Sequence, residues 1–170
     1  IPRVSINVSP YQFRRSNIPA LMLRLLSQYR LDAGRVMVEL TESALAEDTE
    51  QALQMLQELK ALGIRLSIDD FGTGYSSLAY LQRMPIHELK IAQHFVVDIA
   101  HSQDAQAIAK TILLMSQALG FSVVAEGIET AEQLEVLRGA GCDIGQGYLF
   151  AHPLSSSELL ASYGKDVIAS

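Results

Sequence analysis

One unit recurs along this chain and constrains its fold more than any other feature. It is an amphipathic helix, a glycine, a short strand rich in β-branched residues, and a polar residue at the strand's end. Ile18, Leu21, Met22 and Leu25 mark a helix over 16–29 at i, i+3, i+4, i+7 spacing, followed by Gly34 and the strand Arg35-Val-Met-Val-Glu39. Ala52, Met55, Leu56 and Leu59 mark a second over 48–62, with Gly63 suited to the C′ position and Ile64–Asp69 as the strand. Ala105, Ile108, Ile112, Met115 and Leu119 mark a third over 104–119, stopped by Gly120 before Phe121–Glu126. Thr130 and Gln133 form a capping box for a shorter helix that ends near Gly139–Gly141, before Cys142–Gln146. Val4–Val8 is a strand candidate ahead of the first helix. Leu89–Ile91 is another, after a short helix following Ser76-Ser77 and the break at Pro85. Ser155–Glu158 opens a last short helix.

Alternating strands and helices predict a parallel sheet. Parity within the strands then separates an open sheet from a barrel. Ser5 and Asn7 oppose Ile6 and Val8; Met37 and Glu39 oppose Val36, Val38 and Leu40; Ser67 and Asp69 oppose Leu66 and Ile68; Lys90 opposes Leu89 and Ile91. An open doubly wound sheet makes both faces apolar. Here one face is apolar and the other turns polar towards the strand's end. That fits an α/β fold of the TIM-type (β/α)8 barrel, polar at its C-terminal mouth. Six of the eight strands such a barrel needs are legible, and the two others are expected upstream of Ile1.

The chain has 170 residues, the size of one domain, with no linker or composition shift dividing it. Hydrophobic residues at 49% exclude a disordered chain. No apolar run reaches the roughly 18 residues of a membrane span, and no segment of the given sequence reads as a signal peptide. A net charge of −6 argues against a nucleic acid polymer as partner. The lone Cys142 reads as a small core residue in a reducing compartment, which predicts a cytoplasmic location.

Asn7, Glu39, Asp69 with Asp70, Lys90, Glu126 and Gln146 all fall at strand ends and converge on one mouth. Carboxylates so gathered repel unless protons or cations neutralise them. Oxygen ligands suit Mg²⁺ or Mn²⁺, and two adjacent ions suit phosphodiester hydrolysis. Lys90 there orients an attacking water or contacts a phosphate. Glu42, Glu129 and Asp70 read equally as caps or loop braces, but capping does not explain Lys90 and Asn7. Gly72-Thr73-Gly74 reads either as a phosphate cradle or as a mobile active-site loop. The Asp70-Phe-Gly72 triplet lacks the companion motifs of a kinase. His87, His94, His101 and His152 have no metal-ligand spacing and read as surface residues. Phe150 and Pro153 read either as an apolar shelf for a planar base or as rim packing.

Ser5-Ile-Asn-Val-Ser9, Glu39-Leu-Thr-Glu-Ser43, Ile68-Asp-Asp-Phe-Gly-Thr-Gly-Tyr-Ser-Ser-Leu78, Leu89-Lys-Ile91, Val124-Ala-Glu-Gly-Ile-Glu129 and Gly145-Gln-Gly-Tyr-Leu-Phe150 occur in this order. From Ser5 to Leu154 the chain resembles the EAL domain family of bacterial cyclic di-GMP phosphodiesterases. The resemblance implies a (β/α)8-type barrel with one antiparallel strand, and hydrolysis of cyclic di-GMP to linear pGpG with Mg²⁺ or Mn²⁺, two ions together. It implies Asn7, Glu39, Asp69, Asp70 and Glu126 as metal ligands or their neighbours. Lys90 resembles the residue holding the catalytic water, with Glu126 beside it, and Gln146 a substrate contact. Glu42 resembles the glutamate bracing the Asp70–Ser77 loop, and Glu129 a supporting acid. Residues 1–170 then read as a single EAL-type domain that lacks its first two strands. A homodimer is the expected assembly, and the expected setting is the cytoplasmic part of a longer, membrane-anchored sensor.

Two departures bear on activity. The Glu-Ala-Leu tripeptide that names the family is not in the sequence, and is expected just upstream. The family's Leu-Lys-Ile-Asp reads Leu89-Lys-Ile-Ala92 here; by parity Ala92 shares the inward face with Lys90, so an acid near Lys90 is lost. A domain that binds cyclic di-GMP without hydrolysing it is therefore the alternative reading.

Overall fold

The computed structural model describes residues 3–46, 49–74, 78–142 and 144–168. Six strands form one parallel sheet in chain order: β1 (Val4–Val8), β2 (Val36–Thr41), β3 (Arg65–Phe71), β4 (Glu88–Ile91), β5 (Ser122–Ala125) and β6 (Ile144–Gly145). The antiparallel strand implied by the resemblance is not among them. Helices α1 (Pro10–Arg15) and α2 (Ile18–Tyr29) join β1 to β2, and α3 (Glu42–Ala46) and α4 (Thr49–Ala61) join β2 to β3. Beyond β3 come α5 (Leu78–Arg83), α6 (Gln93–Val97), α7 (Gln103–Leu119), α8 (Ala131–Gly139) and α9 (Ser156–Ile168). The expected helix starts at Asp48 and Ser76-Ser77 lie outside the described residues. No helix among the described residues is long and apolar enough to cross a membrane.

Local chemistry sets the helix ends. The Asn17 side chain accepts from the Ala20 amide at 2.9 Å, and Thr130 with Gln133 completes the expected capping box. The outward faces of the strands, Val38, Leu40, Leu66, Ile68, Leu89 and Ile91, pack with Leu56, Leu59 and Ile112 in a single core. Each such side chain contributes about 1.5–3 kcal/mol of burial. Two predicted stripes are rotated. On α2 the buried set is Ile18, Pro19, Met22 and Leu26, while Leu21 is exposed; on α7 it is Ala109, Ile112, Leu113 and Ser116, while Ile108 is exposed. Both helices carry apolar residues around much of their circumference, so spacing alone does not choose the face.

The inward face curls. Ser5 of β1, Met37 and Glu39 of β2, Glu88 and Lys90 of β4, Val124 of β5 and Ile144 and Gly145 of β6 line one cavity of about 400 Å³. Strands at the two ends of the sheet thus face a shared interior, as in a barrel, with β1 and β6 as its edges. The expected parity brings Ser5 of β1, Glu39 of β2 and Lys90 of β4 into that interior.

A candidate metal-dependent active site at the strand ends

Lys90 is the hub of the mouth. Its Nζ lies 2.8 Å from Glu39 Oε2, 3.2 Å from Asp69 Oδ1 and 2.6 Å from Glu126 Oε1. The side chain is 5% exposed. Burial by itself lowers the pKa of this ammonium, but the Glu126 and Glu39 carboxylates bonded to it outweigh that and hold it above its ordinary value. The Glu126 carboxyl is pushed up by burial, against the pull of Lys90.

A second group overlaps the first. Carboxylate oxygens of Asp69, Asp70 and Glu126 all lie within 4.8 Å of one another. Consecutive strand residues point to opposite faces, so Asp69 and Asp70 should diverge. They do not, because β3 carries a bulge there. Ile68 pairs with Leu89 and Phe71 with Ile91, so three steps along β3 match two along β4. Asp70 absorbs the extra residue at φ +53, and its amide donates to Asp69 Oδ1 at 3.0 Å. The bulge turns a strand end into a two-carboxylate claw.

The loop after β3 is tied back. Glu42, 2% exposed at the start of α3, accepts from the amides of Gly72 and Gly74 through Oε2, both at 3.0 Å. This is the expected bracing contact; residues 75–77 of the loop lie outside the described residues. Thr73 Oγ1 donates to the Asp70 carbonyl at 2.9 Å. Gly72 is needed twice over: its φ is +96, and a Cβ there would sit 2.6 Å from Phe95 Cε2.

The other expected residues fall around this hub. Asn7 is exposed and pairs in register with Glu39, outside the Lys90 contacts. Gln146 lines both the interior cavity and the mouth cavity, the latter shared with Asp70, Gln93, Glu126, Gly127, Glu129, Gly147 and Tyr148. Phe150 lines the interior cavity, whereas Pro153 is exposed and belongs to neither. The sequence reading missed Gln93, Tyr148 and Glu88. Glu88 was accessible to it, being two residues before Lys90 on the same strand face.

Two expectations are corrected. Strand parity does not reach Ala92: β4 ends at Ile91, as expected, and Ala92 is the N-cap of α6, 1% exposed and without a side-chain capping bond. His87 is not a free surface residue: its Nδ1 accepts from the Leu66 amide at 3.2 Å and its carbonyl accepts from the Ser122 amide, tying β3, β4 and β5 together. Burial, then Arg65 and Lys60, lower its pKa. His94, His101 and His152 are exposed, and Cys142 is buried as expected.

A curled parallel sheet, helices outside and acids around a lysine at the strand ends define a TIM-barrel-like α/β protein with an oxygen-rich mouth. The chain belongs to the EAL domain family, whose family model matches residues 1–153. The cyclic di-GMP phosphodiesterase NbdA of Pseudomonas aeruginosa is 43% identical over 167 residues, 96% of this chain and 21% of that protein. The fold matches the P. aeruginosa MucR phosphodiesterase in its c-di-GMP complex at TM-score 0.89 and 39% identity, over 93% of this chain and 64% of that one. It matches Klebsiella pneumoniae BlrP1, in a complex with manganese and cyclic di-GMP, at TM-score 0.82 and 33% identity, over 89% and 39%. The chain spans about a fifth of the length of the curated relatives it matches.

Proposed function

We propose that this chain forms most of the active site of a metal-dependent phosphodiesterase that opens cyclic di-GMP to linear pGpG. The observation that carries the reading is the Lys90 hub: one ammonium against Glu39, Asp69, Glu126 and the adjoining Asp70 leaves three negative charges to be met by cations. The Asp69, Asp70 and Glu126 oxygens fit a divalent ion, with Glu39 and Asn7 on the neighbouring strands as further donors. Mg²⁺ or Mn²⁺ held there would supply positive charge to the phosphodiester and make water more acidic.

The chain's own residues do the positioning. The three N–H donors of Lys90 are matched by three carboxylates. If one of those carboxylates were to ligate a cation instead, the Lys90 donor it leaves would be free to orient the attacking water. Glu126, 2.6 Å from Lys90, is placed to accept a proton from that water. Water is the only co-reactant: it adds to one phosphorus as one ribose oxygen leaves as a hydroxyl. Gln146, which lines both the mouth and the interior cavity, would meet a guanine edge; Phe150, in the interior cavity, would meet its face, and Glu129 lines the mouth. The assembly we propose is a homodimer within a longer signalling protein of the cytoplasm.

Turnover of cyclic di-GMP by a protein carrying this segment, assayed with Mn²⁺ and with excess chelator, tests the reading. Activity should need the metal and vanish in Asp69→Asn. Full turnover in chelator refutes it. The second reading, binding without hydrolysis, draws support from Ala92: an Asp there could cap α6, two residues after Lys90. Ala92→Asp should raise kcat with little change in ligand affinity. If neither form hydrolyses the dinucleotide while both bind it, the second reading is correct.

A further inference from the structure

We infer that Phe95 is a positioning residue for the metal-binding half of the mouth, acting through the backbone of Gly72. The inference rests on the reading of Asp70 as a metal ligand and adds a mechanism for holding it. The loop after β3 leaves the bulge at Asp70 and is gripped from two sides. Glu42 takes the Gly72 and Gly74 amides. On the other side the Phe95 ring lies against Gly72, with Cε2 2.6 Å and Cζ 3.1 Å from where a Cβ would stand. Polar clamp and apolar floor together leave the Gly72 backbone a single seat.

Phe95 suits that task because of its own anchorage. It is half-buried against the core, on the helix that begins two residues after Ile91. Its amide donates to the Ala92 carbonyl at 3.0 Å, which ties the ring to the end of the strand that carries Lys90. Gln93, on the same turn, lines the mouth beside Asp70 and Glu126. The segment 90–95 therefore presents the ammonium, one wall of the mouth and the floor of the loop as one rigid piece. The loop in turn holds Asp70, since Thr73 bonds its carbonyl through both amide and hydroxyl. Loss of the ring should let Gly72 sink, loosen the two amide bonds to Glu42 and swing Asp70 away from Asp69 and Glu126.

The test compares Phe95→Ala and Phe95→Leu with the parent in a protein carrying this segment. One measurement is amide hydrogen exchange at Gly72 and Gly74 without metal; the other is direct Mn²⁺ titration followed by electron paramagnetic resonance. Phe95→Ala should speed exchange at both glycines at least tenfold and weaken Mn²⁺ binding on the order of tenfold, while amides of β2 and β4 exchange as before. Phe95→Leu, which keeps an apolar floor and guards against simple misfolding, should recover most of both effects. Unchanged exchange at Gly72 and Gly74 in Phe95→Ala overturns the inference whatever the metal does. Faster exchange with unaltered Mn²⁺ affinity also overturns it, because the loop then does not position a ligand. If the parent itself fails to bind Mn²⁺, the metal reading of Asp70 is what fails. The exchange data then decide alone whether Phe95 seats the loop.

Discussion

Replacing Lys90 by Met removes the ammonium and keeps most of the side-chain volume. The lysine is 4% exposed, and three carboxylates lie within 3.2 Å of its Nζ. Breaking a buried ion pair by deleting one partner costs about 3–5 kcal/mol, because the other charge is left unpaired. Three acceptors are orphaned here, so the loss should fall at the upper end of that range. For a chain of this size each kcal/mol moves Tm by roughly 2–4 °C, which gives a fall of roughly 10 to 20 °C in chelator. Since the Lys90 pKa is raised above 10.5, its contribution is complete below that pH and is lost only as pH climbs past it. The effect should therefore be full at pH 7. Divalent metal should reverse part of it, since a cation can take the place of the missing charge and a ligand at 100 times its Kd adds about 2.7 kcal/mol. Urea unfolding and thermal scans of parent and variant, each with chelator and with Mn²⁺, read both quantities. A variant within about 1 kcal/mol of the parent in chelator refutes the charge reasoning. So does a Mn²⁺-induced rise in Tm no larger in the variant than in the parent.

Three further outcomes are expected. Glu42→Gln should weaken Mn²⁺ binding and loosen the loop while far-ultraviolet circular dichroism stays unchanged, because two bonds to a charged acceptor, each about 1.5–3 kcal/mol, become weaker ones; unaltered metal affinity would contradict the bracing role. His87 has a lowered pKa, so the stability it contributes is present above about 6.5 and is lost as pH falls towards the lower folded value, where protonation of Nδ1 breaks its bond to Leu66. Urea midpoints compared at pH 7.5 and 5.5 should drop more for the parent than for His87→Gln, and equal drops would refute this. The chain by itself should self-associate, since Val4 and Ile6 on edge strand β1 and Ile144 on edge strand β6 are exposed; sedimentation velocity showing a monomer at all concentrations would speak against it.

Period and parity in the sequence were enough for the strand–helix alternation, the parallel sheet and the inward placement of Ser5, Glu39 and Lys90. These follow from local geometry: a strand alternates its faces every residue, and a glycine or capping box stops or starts a helix wherever it falls. The contact of Glu42 with the loop after β3 was also legible, through the motif it shares with a known family. What the tertiary structure alone decided is how the ends of the strands meet. Parity sends Asp70 to the outer face, and only a bulge, set by the unequal pairing of β3 with β4, brings it round beside Asp69 and Glu126. Strand parity likewise assigned Ala92 to the barrel interior, whereas the end of β4 pairing at Ile91 makes it the start of a helix. The rotation of α2 and α7, the seat of Gly72 on Phe95 and the three-way pairing of Lys90 have the same origin. Each depends on a neighbour distant in sequence, and packing against that neighbour selects one of several arrangements that the local sequence permits equally well.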